Sequence, residues 1–425
     1  MSYFKRIILI TLAFILAFTC VCSAEISLKS PSAILVDGES GLTLFEKNSE
    51  KKMYPASTTK IVTAILAIES EGLSKNEMLT ASFYAVNSID YDSSKINLSE
   101  GEKMSFENLL YSLIIASAND AANVLAEYIS KTPEAFVELM NKKVKELGCE
   151  NTHFTNPHGL HDENHYTTAS DLAKIAVYAM KLPFFAQAVK MTKHTIPPTN
   201  KMDEERVLNS TNHLLDKKSK YYYQYATGIK TGYTSHAGYC LVSCAENGNE
   251  KYISAVLGAK PDDTDTMSFV DSKKLLKYGF ENHDAHTVAK KDDIISSIPI
   301  KSSFADEAIL TASQTVKLIL PQGADPKKIE KKEYIKQTVK APVKLGEKLG
   351  RMEYWYDGVK VGECDMLSVS DYSKIPLAFI FKPIYKLFKS AVFYILLVFA
   401  FVAWYLYSSF KRQRRRRRRR RRTSR

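Results

Sequence analysis

Cysteine is scarce in this chain of 425 residues, which contains only six. Two of the six precede residue 25, and the others are Cys149, Cys240, Cys244 and Cys364. So few cysteines over so long a chain exclude a disulfide-built scaffold. Cys240 and Cys244 would lie about 13 Å apart in one strand, too far to bond. We expect four free, partly buried thiols, although pairing of Cys149 with Cys364 stays open.

Excess basic charge is absent from the body of the chain, despite a net charge of +12 and a pI of about 9.1. Residues 411–425 hold twelve basic side chains and no acidic one, so the remaining residues sum to zero. The overall pI is therefore no argument for nucleic-acid binding, and we expect no nucleic-acid partner. The composition, 45% hydrophobic and 25% charged, is that of a globular protein with room for two domains.

The N-terminal 24 residues are typical of a secretory signal. Lys5 and Arg6 precede a largely apolar stretch of twelve residues, and Cys22-Ser23-Ala24 offers small side chains before a cleavage point. We predict a signal peptide at residues 1–24, with an uncleaved anchor as the alternative.

A second apolar stretch lies near the C-terminus. Residues 390–410 are long enough, at about 31 Å as a helix, to cross a bilayer. The basic tail at 411–425 then indicates a cytoplasmic end and attraction to anionic membrane lipids. We therefore predict a single-pass protein of the cell membrane, with residues 25–390 outside.

Between these ends the pattern predicts two domains. Residues 25–283 read as a hairpin, a helical block, strands and a closing helix, which indicates an α/β (α+β) domain with helices packed on an antiparallel sheet. Within it, residues 190–225 look poor in strands. Residues 284–374 alternate like strands, with Asp357-Gly358 as a hairpin turn, and predict a small all-β domain. Residues 375–389 resemble an interfacial amphipathic segment.

A serine and a lysine three residues apart begin an apolar run at Ser57 and Lys60. In the first turns of a helix both side chains would share a face, so the lysine amine could activate the serine hydroxyl. The pattern alone is weak, because Ser49 and Lys52 repeat it in a polar segment without an apolar helix.

Two more short motifs follow in order. Ser117-Ala-Asn119 lies at a junction between two apolar helices, where polar side chains could face a cleft. Lys230-Thr231-Gly232 lies on a predicted strand, where the glycine lets a substrate backbone approach and the other two residues offer a charge and a hydroxyl to an anion.

This order of motifs resembles that of penicillin-binding proteins and serine β-lactamases. Three further segments make the chain similar to the low-molecular-mass D-alanyl-D-alanine carboxypeptidases, namely Pro55–Lys60, Asn156–Leu160 and His165–Ala169. The resemblance implies the penicillin-binding/β-lactamase-like serine transpeptidase fold. It also implies a serine-type carboxypeptidase that acts on peptidoglycan stem peptides ending in D-Ala-D-Ala, binds β-lactam antibiotics and requires no metal or other cofactor.

The resemblance also assigns roles to residues. Ser57 is the nucleophile, Lys60 its neutral base, and Ser117 a proton carrier bridged to Lys60 and Lys230. The substrate-binding residues would be Asn119, Lys230, Thr231, Gly232 and Tyr233, with the backbone N–H groups of Ser57 and Tyr233 holding the oxyanion. We expect the nearby charge of Lys230 to lower the pKa of Lys60.

Three alternatives stay open. A serine β-lactamase of class A would need a glutamate followed by asparagine four residues on, and neither Glu150 nor Glu163 has one. A wall-peptide-binding protein without turnover would not need every catalytic position filled. A zinc enzyme could use the four loop histidines, but no accompanying zinc motif is found, so we expect no metal. The histidines are His153, His158, His161 and His165.

Overall fold

The computed structural model describes residues 26–70, 74–262, 264–375, 386 and 388–422. The predicted signal peptide and most of the predicted interfacial segment lie outside these residues. The described chain divides near Ala285 into two compact units, and residues 319–324 return to the first. The domain bounds drawn from the sequence stay a prediction.

The first unit contains strands and helices in alternating blocks. Its strands are β1 (Ser32–Asp37), β2 (Thr43–Lys47), β3 (Met78–Thr80), β4 (Lys103–Ser105), β5 (Lys193–Ile196), β6 (Arg206–Asn209), β7 (Ala226–Thr234), β8 (Gly238–Asn247) and β9 (Glu250–Ala259). Its helices are α1 (Lys60–Glu69), α2 (Phe83–Asn87), α3 (Phe106–Ile115), α4 (Asn119–Ser130), α5 (Pro133–Glu146), α6 (Ala169–Ala179), α7 (Pro183–Ala188) and α8 (Met267–Asn282).

A five-stranded antiparallel sheet in the order β2-β1-β9-β8-β7 forms the centre of this unit. Every residue of β1 is buried because helices cover both faces of the sheet. Ala33 and Leu35 pack in a cluster with residues of α8, whereas Ile34 and Val36 belong to the cluster that contains α1, α3, α4 and α6. The apolar run of this strand thus supports two hydrophobic layers, as the predicted fold requires.

The segment 190–225 contains a two-stranded ribbon, β5 paired with β6, so the prediction that it is poor in strands is wrong. The two strands carry charged and polar residues such as Lys193 and Arg206, and one face stays exposed. A short ribbon with few apolar residues lacks the alternation on which sequence-based strand prediction depends.

The second unit is a β domain built on a six-stranded sheet in the order β14-β16-β17-β12-β11-β15. Its turn at Asp357-Gly358 has positive φ at both residues, 46° and 80°, as a tight hairpin requires. The elements not yet given are β10 (His283–Ala289), β11 (Ile294–Lys301), β12 (Glu307–Ala312), β13 (Val316–Pro321), β14 (Glu330–Ile335), β15 (Val339–Lys340), β16 (Lys348–Tyr356), β17 (Val359–Ser368) and α9 (Ala391–Arg422).

Helix α9 includes 22 residues, Ala391–Arg412, that are long and apolar enough to cross a membrane. None of these residues is buried within the chain. The predicted span is therefore present as a helix, and that helix continues into the arginine block as far as Arg422.

The four cysteines of the described chain are all free and buried. The pairing of Cys149 with Cys364 that the sequence left open is therefore wrong. Burial raises the pKa of Cys149 and of Cys240 to about 12, which keeps both thiols protonated and unreactive.

Candidate active site

Ser57 lies in a tight 3₁₀ turn, Ala56–Thr59, that runs directly into α1. The hydroxyl of Thr58 donates to the carbonyl oxygen of Pro55 at 2.7 Å, and that of Thr59 donates to the carbonyl oxygen of Ala56 at 2.8 Å. Ala56 has a φ of +48°, a conformation that costs energy for a residue with a side chain. The local hydrogen bonds hold the turn in this strained conformation, and the turn therefore keeps the Ser57 hydroxyl at a fixed position in the site.

Lys60 is buried, with 1% of its surface exposed, and its Nζ lies 2.9 Å from Ser57 Oγ. The same nitrogen donates to Asn119 Oδ1 at 2.6 Å and to the backbone oxygen of His158 at 2.7 Å. A neutral amine has two N–H bonds and one lone pair. In the neutral form, the two acceptors would take the two N–H bonds and leave the lone pair to face Ser57, which is the geometry a general base needs.

Burial shifts the pKa of Lys60 well below its ordinary value, since the charged form loses its hydration. The charge of Lys230 is the second cause, and the carboxylate of Asp120 opposes both. The expected effect of Lys230 is therefore present, but desolvation, which the sequence did not indicate, is the larger cause.

Ser117 and Asn119 lie where α3 ends and α4 begins. Ser117 has a φ of +60°, so the backbone turns sharply there, and Asn119 becomes the first residue of α4. Both side chains are buried and both line the cleft. Within the described residues no hydrogen bond joins Ser117 to Lys60 or to Lys230, so the bridge implied by the resemblance is not present, whereas Asn119 contacts Lys60 directly.

The Lys230-Thr231-Gly232 triplet lies on β7, the edge strand of the sheet. Lys230 is 3% exposed, its Nζ donates to the backbone oxygen of Thr231 at 3.0 Å, and burial lowers its pKa to about 7. The hydroxyl of Thr231 is hydrogen-bonded to that of Thr211. Tyr233 is largely exposed at the cleft. The strand therefore presents the Thr231 hydroxyl and a backbone edge to the cleft, whereas Lys230 is buried beside them and does not line it.

The loop Asn156–His161 supports Lys60, a role that sequence reasoning missed. Its His158 carbonyl accepts from Lys60, and its Pro157 carbonyl accepts from Thr63 Oγ1 at 2.5 Å. Gly159 has a φ of +88°, and any side chain there would collide with the backbone of Ala56. The proline and glycine of this segment predicted a loop from the sequence. The direction of its carbonyl groups could not be predicted, because no residue type indicates it.

The four loop histidines do not converge on a metal site, and no cluster of three metal-binding side chains occurs in the described chain. His165 Nε2 is hydrogen-bonded to Thr59 Oγ1 at 2.8 Å, and its Nδ1 accepts from Thr155 N at 3.0 Å. Burial lowers the pKa of His165 to about 3, so this ring is neutral and supports the Ser57 turn. The zinc alternative has no support in this geometry.

A cleft of about 860 Å³ joins these elements and is lined by Ser57, Ser117, Asn119, Thr231 and Tyr233. The site therefore combines a serine, a buried amine with a lowered pKa, and an edge strand that carries a second buried lysine and a hydroxyl, which together suit acyl transfer.

Comparison with known proteins gives the family of this site. Residues 19–261 match the family model of the D-alanyl-D-alanine carboxypeptidases, peptidase family S11, and residues 283–374 match the C-terminal domain of penicillin-binding protein 5. The site thus belongs to a penicillin-binding peptidase, and the chain belongs to the D-alanyl-D-alanine carboxypeptidase family. The predicted class, a serine-type D-Ala-D-Ala carboxypeptidase, is confirmed.

Relatives agree with this assignment over most of the chain. The D-alanyl-D-alanine carboxypeptidase DacF of Bacillus subtilis (strain 168) is 31% identical over 352 residues, which is 83% of this chain and 88% of the relative. DacC of Escherichia coli (strain K12) is 30% identical over 351 residues, 80% of this chain and 84% of that one. The crystal structure of penicillin binding protein 5 from Haemophilus influenzae superposes with a TM-score of 0.69 at 30% identity, covering 83% of this chain and 99% of that one. The predicted fold is therefore confirmed.

Proposed function

We propose that this enzyme removes the terminal D-alanine from peptidoglycan stem pentapeptides through an acyl-enzyme on Ser57, which limits cross-linking of the wall. The observation that carries the proposal is the environment of Lys60 Nζ. Two acceptors bind its N–H groups while Ser57 Oγ lies 2.9 Å away. A buried amine held in this way accepts the serine proton at neutral pH.

In the first step Ser57 Oγ forms a bond to the carbonyl carbon between the two D-alanines, and its proton passes to Lys60. The oxyanion lies on the backbone N–H groups of Ser57 and Tyr233. The C–N bond then breaks as the proton moves from Lys60 to the departing amine. Ser117, which lines the same cleft, carries this proton once bound substrate brings it into hydrogen-bond contact with both groups. Water hydrolyses the acyl-enzyme and restores the Ser57 hydroxyl. Each step uses only protein groups and water, so no cofactor is needed.

Substrate recognition is divided between two elements. Asn119 already uses its Oδ1 for Lys60, so its Nδ2 is available to donate to a carbonyl oxygen of the peptide. Lys230 and Thr231 receive the terminal carboxylate, since a buried ammonium and a hydroxyl together favour an anion.

β-Lactam antibiotics would acylate the same serine, and the alternative function, a β-lactamase, differs in the next step. Deacylation by a class A enzyme needs a glutamate with a positioned water. Neither Glu150 nor Glu163 is among the residues that line the cleft. A penicilloyl group on Ser57 should therefore persist for minutes or longer.

The test combines peptide turnover with intact-mass analysis of the penicillin-treated enzyme. We expect D-alanine release from a peptide ending in D-Ala-D-Ala, one penicilloyl adduct, and loss of both in Ser57→Ala. Ser49→Ala is the matched control, because Ser49 has the same spacing to a lysine but its hydroxyl donates to Glu46 at 2.6 Å. Rapid penicillin turnover without D-alanine release would assign the protein to the β-lactamases, and binding without either reaction would leave only a wall-peptide-binding role.

We further propose that α9 anchors the enzyme as a single span, with the catalytic domain outside the cytoplasmic membrane and the arginine tail inside near anionic lipids. The apolar stretch Ala391–Arg412 and the basic residues after it support this orientation. Protease added to intact cells should remove the catalytic domain and leave the tail protected. Protection of the catalytic domain would contradict the orientation.

A further inference from the structure

Two histidines from distant parts of the chain stack in the wall of the cleft. The rings of His161 and His236 are parallel to within 4°, and their centroids are 3.8 Å apart. Tyr54 packs edge-on against His161, with centroids 4.6 Å apart and an angle of 86°. Both histidines are exposed and both line the cleft. Contacts at these distances and angles are favourable for aromatic rings.

Each of the three rings belongs to a segment that holds part of the reactive centre. Tyr54 lies two residues before the turn Ala56–Thr59, which carries Ser57. His161 ends the loop whose His158 carbonyl accepts from Lys60. His236 lies in the turn that follows β7, the strand that carries Gly232. The stack therefore joins the nucleophile, the support of the base and the proposed oxyanion strand.

Internal hydrogen bonds hold each of the two segments that carry the histidines. A displacement of either ring would therefore move its whole segment and the groups of the site that the segment carries. Asn156 Oδ1 accepts from Gly159 N at 2.7 Å, and Asn156 Nδ2 donates to the Leu160 carbonyl at 3.0 Å. In the other segment, Ala237 N donates to Thr234 Oγ1 at 3.0 Å.

We propose that His161 and His236 are positioning residues, whose stacked rings fix the distance between the loop Asn156–His161 and β7 and so hold the base and the oxyanion strand at their working separation. The proposal rests on the proposed function, because it concerns the rate at which Ser57 is acylated. It requires no proton transfer by either ring. Any flat aromatic ring of similar size should therefore replace an imidazole.

The test is a double-mutant cycle on the acylation of Ser57 by a penicillin, measured in the full chain in detergent. We expect His161→Ala and His236→Ala each to lower the acylation rate constant about 3- to 10-fold, the range that a lost aromatic pair gives. The double variant should be no slower than either single one, because the contact is lost once. His236→Phe should recover most of the rate. For peptide turnover, kcat should fall more than KM rises.

His153→Ala is the matched control, because His153 is another exposed loop histidine but does not line the cleft. Additive losses in the double variant, or a phenylalanine variant as slow as the alanine one, would overturn the proposal. A circular dichroism melt shows whether a slow variant is merely unfolded. Failure of the proposed function is seen in a separate experiment, because acylation that persists in Ser57→Ala would show that Ser57 is not the nucleophile. The histidine variants all keep Ser57, so their cycle tests only the stack.

Discussion

Gly232 on β7 lies directly against the turn that carries Ser57. A Cβ atom added to Gly232 would lie 3.0 Å from the backbone nitrogen of Ser57 and 3.0 Å from the backbone oxygen of Pro55. Few real Cβ atoms make contacts this tight, so the turn or the strand would have to shift by a few tenths of an ångström to admit one. The strand and the nucleophile turn therefore approach as closely as they do because this position has no side chain.

Gly232→Ala should consequently slow acylation of Ser57 about 3- to 10-fold, since a shift of a few tenths of an ångström disturbs the alignment of the reacting groups. The rate constant with a penicillin, followed by intact mass, measures the effect. Gly248→Ala is the control, because Gly248 does not line the cleft and has open space around its Cβ position; its φ of +60° means that alanine should lower stability there but leave the acylation rate unchanged. An alanine variant at Gly232 that acylates at the wild-type rate would show that the close approach is not needed.

The low pKa of Lys60 predicts how the acylation rate depends on pH. The neutral amine is the active form, so the rate should be constant above this pKa and fall as the pH decreases through it. Lys60→Arg keeps the charge but cannot lose its proton in this range, and we expect a loss of about 10²- to 10⁴-fold. Lys52→Arg, an exposed lysine of the second Ser-x-x-Lys pattern, should have no effect. Near-normal acylation by Lys60→Arg would mean that another group is the base.

The pKa of Lys230, lowered by burial to about 7, predicts a different pH dependence. In the free enzyme this lysine loses its charge as the pH increases through about 7, so the affinity for a substrate carboxylate should decrease. For a peptide ending in D-Ala-D-Ala, KM should rise above pH 7 while kcat changes little, because the bound carboxylate keeps the lysine protonated.

A peptide with a C-terminal amide is the control for this prediction, since it has no carboxylate whose binding would depend on the charge of Lys230. Its KM should not depend on pH in the same range. Lys230→Arg, which stays charged, should remove the rise in KM for the free acid. A rise of equal size with the amide would place the titrating group elsewhere.

The parts of the site that could be predicted from sequence are those set by local spacing. Ser57 and Lys60 meet because residues three apart share a helical face, and the Lys230-Thr231-Gly232 triplet follows from its place on an apolar strand. Long helices such as α3 were predictable from their period, and the hairpin at Asp357-Gly358 from its turn residues.

The parts that could not be predicted depend on tertiary contacts with no sequence pattern of their own. The His158 carbonyl meets Lys60 only because the loop folds back on α1, and no residue type marks a carbonyl direction. The stack of His161 on His236 joins two loops whose closeness is set by the whole sheet. Desolvation of Lys60 likewise depends on packing, which explains why sequence reasoning named only the charge of Lys230 as its cause.

Asp120 gives the last prediction, which concerns a residue that sequence reasoning left outside the site. Its buried carboxylate accepts hydrogen bonds from the backbone N–H groups of Ile96, Leu98 and Ala121 at 2.9 to 3.2 Å. The residues that precede Ile96 include Ser94, which lines the cleft and whose carbonyl accepts from Asn119 N at 2.8 Å. Asp120→Ala should leave three amides without an acceptor, at a cost of about 1–3 kcal/mol for each one that stays buried.

Local opening of residues 94–98 should therefore become at least about 10-fold more frequent, seen as faster hydrogen exchange at Ile96 and Leu98. Asp203→Ala, at an exposed aspartate, should leave this exchange unchanged. Because Asn119 is tied to the same segment, acylation of Ser57 should slow together with the loss of protection, and fast exchange with a normal acylation rate would show that the segment does not position the site.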